Sequence, residues 1–322
     1  MLAAYHRAAV ELRKARSVVV CGHVKADGDA IGSALALTFA LREIGVPAVP
    51  TLADVSAAPA TYAFLPGHGL FVPATDLEPT DVFVALDTPN PARLGTAATL
   101  LDSARVTIVL DHHPDNTGFG TVNITDTSAA ATGLMVWRLI DALEAPATPD
   151  MALCCWVALV TDTGRFAYGN TTPDALRQGA AMLEAGVDPA EAHRMLYENR
   201  TPAALALESL VMSRIEIVNE GRVAHTWVSA EDYARTGAKV EETEHLVDAV
   251  RTIAGIDVAV LLRVHPDHVR VNLRAKAGFD VGSVARKWGG GGHVAAAGFT
   301  APGERVRVLS DLLPLLPGGA FS

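Results

Sequence analysis

Val18-Val19-Val20-Cys21-Gly22-His23-Val24-Lys25-Ala26-Asp27-Gly28-Asp29-Ala30-Ile31-Gly32-Ser33 is the stretch on which the reading of this chain turns. A β-branched run ends in a loop holding one histidine and two aspartates, and a Gly-Ser pair then opens an alanine- and leucine-rich helix. Strand, loop and helix in that order place the loop at the carboxyl edge of a parallel sheet, where open α/β folds keep their ligands. Asp27 and Asp29 alternate about Gly28, so on an extended turn both cannot face one small ion equally. Two ions side by side would use both, with His23 as a further ligand to the first.

Outward from this stretch the same arrangement recurs. Asp81-Val82-Phe83-Val84-Ala85-Leu86 reads as a buried strand that ends on Asp87-Thr88-Pro89-Asn90. Val106-Thr107-Ile108-Val109-Leu110 reads as another and ends on Asp111-His112-His113-Pro114. In a parallel sheet these three loops share one edge. Around them, helices are expected from Met1 to Arg16, from about Ile31 to Ile44 (stopped by Gly45), from Ala57 to Phe64, and from Ser128 to Ala142 with Ser128 as its cap. The run Met151 to Thr161 is apolar almost all round, as befits a helix buried in mid-domain, and it delivers Asp162 at its end.

From about Asp188 to Leu210 the pattern is helical, with Pro189 and Pro202 at helix starts. Beyond it come strand-like runs at 214–218, 223–228, 258–264 and 269–274, a helix from Glu244 to Ile253, and a further helix from Val281 to Lys287 that meets Gly289-Gly290-Gly291-Gly292-His293. The expected fold is α/β: an N-terminal parallel-sheet domain over residues 1–187, a helical linker over 188–210, and a smaller mixed α+β domain over 211–317.

The totals fit this layout. A chain of 322 residues, half of them hydrophobic, can bury two cores. A formal charge of −10 gives no global basic field for gripping long duplex nucleic acid. Three cysteines, two of them adjacent, make a poor disulfide set and suggest a reducing compartment. No signal-type apolar core precedes the charges of the first helix, and the most apolar helix is too short to span a bilayer, so a cytoplasmic protein without membrane contact is expected.

Placed on one sheet edge, His23, Asp27, Asp29, Asp87, His112 and Asp162 make two metal sites. Carboxylate oxygens with one imidazole apiece suit Mn²⁺ or Mg²⁺, and the absence of cysteine from the set disfavours structural zinc. Asp87 is the natural bridge, because one carboxylate between two cations offsets a repulsion that neither terminal ligand could. Ions roughly 3.5–4 Å apart would acidify a shared water and neutralise phosphoryl oxygens during in-line attack. Singly, an Asp-x-Asp loop is most often a turn and a His-His pair a surface feature; the joint occurrence after strands carries the inference.

Together, His23-x-x-x-Asp27-Gly28-Asp29-Ala30-Ile31-Gly32-Ser33, Asp87, Asp111-His112-His113 and Asp162 resemble the four motifs of the DHH phosphoesterases. Gly289 to His293 with Ala295-Ala296-Ala297-Gly298 resembles the glycine-rich motif of the C-terminal domain that accompanies them. The resemblance covers nearly the whole chain. It implies that His23, Asp27 and Asp87 hold one Mn²⁺ and that Asp29, Asp87, His112 and Asp162 hold the other. It also implies that His113 faces the scissile phosphate and that Asp111 orients the His pair. Lys25-Ala26 stands where the family often has Asn-Pro, and Arg165 where it often has a small residue; neither removes a ligand.

In the second domain, glycines 290–292 let backbone N–H groups approach a phosphate closely. Gly290, Gly291, Gly292, His293, Arg270 and Arg274 are the expected substrate contacts, Arg274 because an inward-facing arginine on a strand needs an anion. The resemblance implies a Mn²⁺-dependent hydrolase that turns short oligoribonucleotides into 5′-mononucleotides and 3′-phosphoadenosine 5′-phosphate into AMP. The nucleophile would be a hydroxide shared by the two metals. Cyclic-di-AMP and linear pApA are the alternative substrates, and a long-strand exonuclease or a non-catalytic nucleotide-binding protein the more distant readings. The sequence leaves the oligomeric state open, a homodimer included.

Overall fold

The computed structural model describes residues 2–54, 58–243, 245–276, 278–292 and 294–319. His293, the start of the helix expected from Ala57 and the start of that expected from Glu244 lie outside the described residues. The chain divides into two compact units, 1–198 and 199–322.

The first unit runs α1 (Leu2–Arg13), β1 (Val18–Gly22), α2 (Gly28–Glu43), β2 (Ala48–Leu52), β3 (Val82–Leu86), α3 (Ala98–Ser103), β4 (Val106–Asp111), β5 (Val122–Thr125), α4 (Thr132–Ala142), α5 (Pro149–Asp162), α6 (Pro173–Glu184) and α7 (Pro189–Tyr197). Its five strands are all parallel, in the order β2-β1-β3-β4-β5. The β1, β3 and β4 residues are buried throughout, which is why these strands read as continuous apolar runs rather than alternating ones. In-register pairing sets Val18 beside Val82 and Val82 beside Val106, so the three strands end together and their loops open on one edge.

Helices α2 and α5 cross with unusually little between them. A Cβ on Gly32 would lie 2.3 Å from the Cys154 carbonyl oxygen, and one on Gly133 at the start of α4 would lie 2.4 Å from the Ala158 Cβ. The small residues of the α2 sequence are therefore the contact surface for α5. The close crossing brings the first turn of α2, with Asp29, to the last turn of α5, with Asp162.

Two expectations are corrected here, and one strand had not been expected. Helix α2 begins at Gly28 rather than Ile31, because Asp27 caps it, accepting from the Asp29 and Ala30 amides. Helix α4 begins at Thr132 rather than Ser128. The Ser128 amide and hydroxyl both donate to Asp126 in a local turn, so Ser128 is not the cap. Strand β5, just four residues long and half-exposed, lacks the apolar run that identifies its neighbours.

The second unit runs α8 (Pro202–Met212), β6 (Glu216–Val218), β7 (Val223–Ser229), α9 (Ala230–Thr236), α10 (Leu246–Arg251), β8 (Val258–Val264), β9 (His268–Ala275), α11 (Val281–Lys287), β10 (Gly291–Gly292), β11 (Ala296–Pro302) and α12 (Arg305–Leu312). Its sheet is mixed, ordered β10-β11-β9-β8-β7-β6 with only β7 and β8 parallel. The Ala296-Ala297-Gly298 run after the glycines opens β11 and pairs Ala296 with Arg274. Trp288 stacks on Phe299 with ring centroids 4.9 Å apart, a packing contact. Among the described residues no helix is long and apolar enough to cross a membrane.

Candidate metal centre

Five elements deliver the acidic and histidine side chains. His23 follows β1, Asp29 sits in the first turn of α2, Asp87 follows β3, and His112 and His113 follow β4; Asp162 closes α5. Asp87, Asp29, His23 and His112 are buried, and the Asp27 side chain is 53 % exposed. The His23 Nε2 lies 3.3 Å from Asp87 Oδ2 and 3.7 Å from Asp27 Oδ1. The His112 Nε2 lies 3.5 Å from Asp87 Oδ1, 3.7 Å from Asp162 Oδ2 and 3.9 Å from Asp29 Oδ2.

Most of these separations exceed a hydrogen bond. They approach the spacing of about 3–3.5 Å between neighbouring donors around one ion with bonds of about 2.0–2.2 Å. The donor atoms of His23, Asp27 and Asp87 gather within 4.8 Å of one another, as do those of Asp29, His112 and Asp162 and those of Asp87, His112 and His113. These groups of carboxylate and imidazole atoms could hold metal ions. All six residues singled out as ligands in the sequence are brought together, and Asp87 turns one oxygen toward each half of the set.

Local structure holds each side chain in place. Asp29 is gripped by the amides that open α4, Thr132 N at 2.7 Å and Gly133 N at 2.8 Å, and by the Ser33 hydroxyl at 3.0 Å. The Thr132 hydroxyl also donates to Asp87 Oδ1 at 3.1 Å, so one threonine ties two acids together. Helix α5 points its negative pole at the cluster and carries Asp162 there, an arrangement that costs stability unless positive charge arrives. Asp87 itself sits at φ +55°, a left-handed conformation that L-residues rarely adopt and that concentrates at functional sites.

Asp111 was expected to orient both histidines. It orients His113, accepting from its Nδ1 at 2.7 Å, and is itself held by Asn116 Nδ2 at 2.6 Å. The His112 Nδ1 instead lies 3.1 Å from the Ala129 carbonyl oxygen, because the loop before α4 passes beneath it. Thr132 and Asn116 had no signal in the sequence beyond lying near helix or strand ends; Arg93, whose guanidinium lies 3.0 Å from His23 Nδ1, is 70 residues away and had none.

Without cations the cluster is electrostatically strained. Burial, and then the charges of Asp87 and Asp162, push the Asp29 carboxyl well above its usual range, and burial with Asp87 and Asp27 does the same to Asp162. For His113, burial opposes the charged form, but the Asp111 hydrogen bond and the Asp87 charge outweigh it and lift the imidazole to about 9. These groups hold protons in the folded chain that the unfolded chain releases, since a free histidine titrates near 6.5. The stability His113 supplies is complete below about pH 6.5 and lost as pH rises through about 9, with Asp29 and Asp162 acting in the same direction. The melting temperature of chelator-treated protein is therefore expected to fall across that window, and saturating divalent cation to remove most of the fall. Equal Tm at both ends without cation would contradict the charge assignment.

Cys21, at the end of β1, is no nucleophile: burial, followed by the charge of Asp54, raises its thiol far above neutrality.

In the second unit, Arg270 and Arg274 lie on one face of β9, away from the core-facing Val269, Val271 and Leu273. The anion that Arg274 was expected to need is present within the chain: its Nε donates to Asp248 at 3.1 Å. Of the glycines, Gly290 and Gly292 are explained by packing, since a Cβ on either would lie within 2.5 Å of a β11 carbonyl. A Cβ on Gly291 would meet nothing within 4 Å.

Residues 17–159 match the DHH family, N-terminal domain, and residues 220–314 match the DHHA1 domain. The chain belongs to the DHH family of phosphoesterases, hydrolases of phosphate-ester bonds. Among curated proteins it is 36 % identical over 287 residues to the bifunctional oligoribonuclease and PAP phosphatase NrnA of Thermus thermophilus, covering 89 % of this chain and 84 % of the relative. It is 27 % identical over 303 residues to the protein of the same name from Bacillus subtilis, covering 92 % of this chain and 93 % of that one. Among solved structures, an exopolyphosphatase-related protein from Bacteroides fragilis shares the fold, with a TM-score of 0.90 at 22 % identity over 97 % of this chain and 96 % of that one.

Proposed function

We propose that this chain is a Mn²⁺-dependent phosphodiesterase and phosphatase that hydrolyses short oligoribonucleotides to 5′-mononucleotides and 3′-phosphoadenosine 5′-phosphate to AMP. The observation that carries the reading is the division of the Asp87 carboxylate, one oxygen toward His23 and the other toward His112. That division suits one ion held by His23, Asp27 and Asp87 and a second held by Asp29, Asp87, His112 and Asp162. Such a pair would supply an acidified water and positive charge for the phosphoryl oxygens. The substrate class rests on the relatives that share most of the chain's length, both named as oligoribonucleases and PAP phosphatases.

The chain's own residues do the rest. Asp111 accepts from His113 Nδ1, which leaves Nε2 for the substrate, and that hydrogen bond favours the charged ring that would donate to a phosphoryl oxygen. The metal chemistry is assigned to residues 1–187 and the nucleotide end of the substrate to residues 211–317, joined by the helical segment 188–210. There Arg270, Arg274, His293 and the backbone of Gly290 to Gly292 bind phosphate, with the open side of Gly291 as the point of closest approach. Three free, buried cysteines support a reducing, cytoplasmic setting.

The test is a substrate panel with Mn²⁺, its products resolved by chromatography: RNA dinucleotides, longer single strands, 3′-phosphoadenosine 5′-phosphate, pApA and cyclic-di-AMP. The expected result is fast turnover of dinucleotides and of 3′-phosphoadenosine 5′-phosphate. Preference for cyclic-di-AMP or long strands would overturn the substrate assignment. In the same assay Arg274→Ala is expected to raise KM by about tenfold, the scale of one charged hydrogen bond, with bound metal unchanged. An unaltered KM removes Arg274 from the substrate site.

A further inference from the structure

We propose that Asn170 is a positioning residue of the metal centre, setting the Asp162 carboxylate in place and tying it to the loop that supports His112. The inference rests on the reading of Asp162 and His112 as ligands.

Asn170 stands in the turn between α5 and α6. Its Nδ2 lies 3.0 Å from the Ala130 carbonyl oxygen, 3.1 Å from the Asp162 carbonyl oxygen and 3.5 Å from Asp162 Oδ2. All three neighbours are acceptors, so the amide has one chemically sensible orientation; turned over, its own oxygen would face them. Its two shorter contacts anchor the main chain at the end of α5 to the loop before α4, and the longest, at 3.5 Å, sets the amide beside the Asp162 carboxylate. Asp29, by comparison, has three donors.

The strand of chain that Asn170 reaches is the one that organises the cluster. Ala129, next to Ala130, presents its carbonyl to His112 Nδ1. Two residues further on, Thr132 and Gly133 donate to Asp29, and the Thr132 hydroxyl donates to Asp87. Residues 129–133 thus touch His112, Asp29 and Asp87 directly, and Asn170 supplies the link to Asp162. Without it, the Asp162 carboxylate stands at the C-terminal end of α5, where the helix pole repels its charge.

Fold stability is a poor reason for an asparagine here. Its Oδ1 is buried with no donor among the described residues, which offsets much of what its N–H groups contribute. Asn123 is the contrast: its Oδ1 accepts from the Gly120 amide and its Nδ2 donates to the Gly120 carbonyl, a closed local brace.

The experiment is a calorimetric titration of Mn²⁺ into the metal-free full-length chain, with electron paramagnetic resonance on the same samples. Wild type is expected to take two ions per chain and to show a spin-coupled pair. Asn170→Ala is expected to keep one ion at wild-type affinity, to lose about 10–100-fold at the other, and to show a mononuclear signal at one equivalent. Its metal-free Tm should fall no further than that of Asn123→Ala, which in turn should bind both ions normally. Asn170→Ser, which keeps a donor, should fall between wild type and Asn170→Ala, and it serves for the full comparison should the alanine variant not fold. Two ions bound at wild-type affinity by the Asn170 variants would overturn the proposal, as would equal weakening of both ions in step with metal-free Tm. A wild-type chain that takes up no Mn²⁺ would instead overturn the ligand assignment beneath it.

Discussion

Asp87→Asn is expected to lower turnover by at least about a thousandfold while the metal-free fold survives. The loss follows from removing charge at the one side chain that faces both halves of the cluster, and its scale is that of a principal electrostatic contribution to catalysis. Survival follows from shape: asparagine is isosteric with aspartate and is among the residues best suited to the φ of +55° that position 87 requires. The amide can still accept from the Thr132 hydroxyl, which holds Oδ1 at 3.1 Å. The check is kcat on an RNA dinucleotide at saturating Mn²⁺, beside a thermal melt of the metal-free protein. Turnover within tenfold of wild type would show that Asp87 does not connect two ions.

Gly32→Val is expected to destabilise the first unit by roughly 3 kcal/mol or more, the upper range for overpacking. The first carbon of any side chain there would sit 2.3 Å from the Cys154 carbonyl oxygen, and the obstacle is backbone rather than a flexible chain end. Relief requires α2 and α5 to move apart, and those helices carry Asp29 and Asp162. Metal affinity should therefore fall together with stability, unlike the separation expected for Asn170. A drop in Tm of about 6–12 °C is anticipated for a domain of this size. Gly69→Ala is the control: a Cβ there meets nothing within 4 Å, and a change within about 0.5 kcal/mol is expected. A Gly32→Val protein melting like wild type would mean that the two helices do not cross so closely.

The parallel sheet and its ligand edge were legible in the sequence because burial on both faces leaves β1, β3 and β4 as uninterrupted apolar runs. Each run is followed at once by an acidic or histidine side chain, a local pattern that needs no knowledge of long-range contacts. Strands β5 and β11 lacked that pattern, being half-exposed or built largely of small residues. The start of α4 was misplaced because Ser128 has cap chemistry, whereas the opening amides of that helix are satisfied by Asp29, more than a hundred residues earlier. The same cause hid Thr132, Arg93 and Asn170: their importance lies in which distant groups they touch. Arg274 illustrates the reverse limit: it was read as needing an anion from the substrate, and the Asp248 carboxylate that it meets in this structure had no signal in the sequence.

The central claim is that His23, Asp27, Asp29, Asp87, His112 and Asp162 converge on two divalent cations. Anomalous diffraction at the manganese edge, from crystals grown with Mn²⁺, tests it most directly. Two peaks about 3.5–4 Å apart are expected, one beside His23 and Asp27, the other beside Asp29, His112 and Asp162, with Asp87 touching both. A map with no peak among these side chains, or with a single ion that leaves Asp87 uncoordinated, would contradict the account.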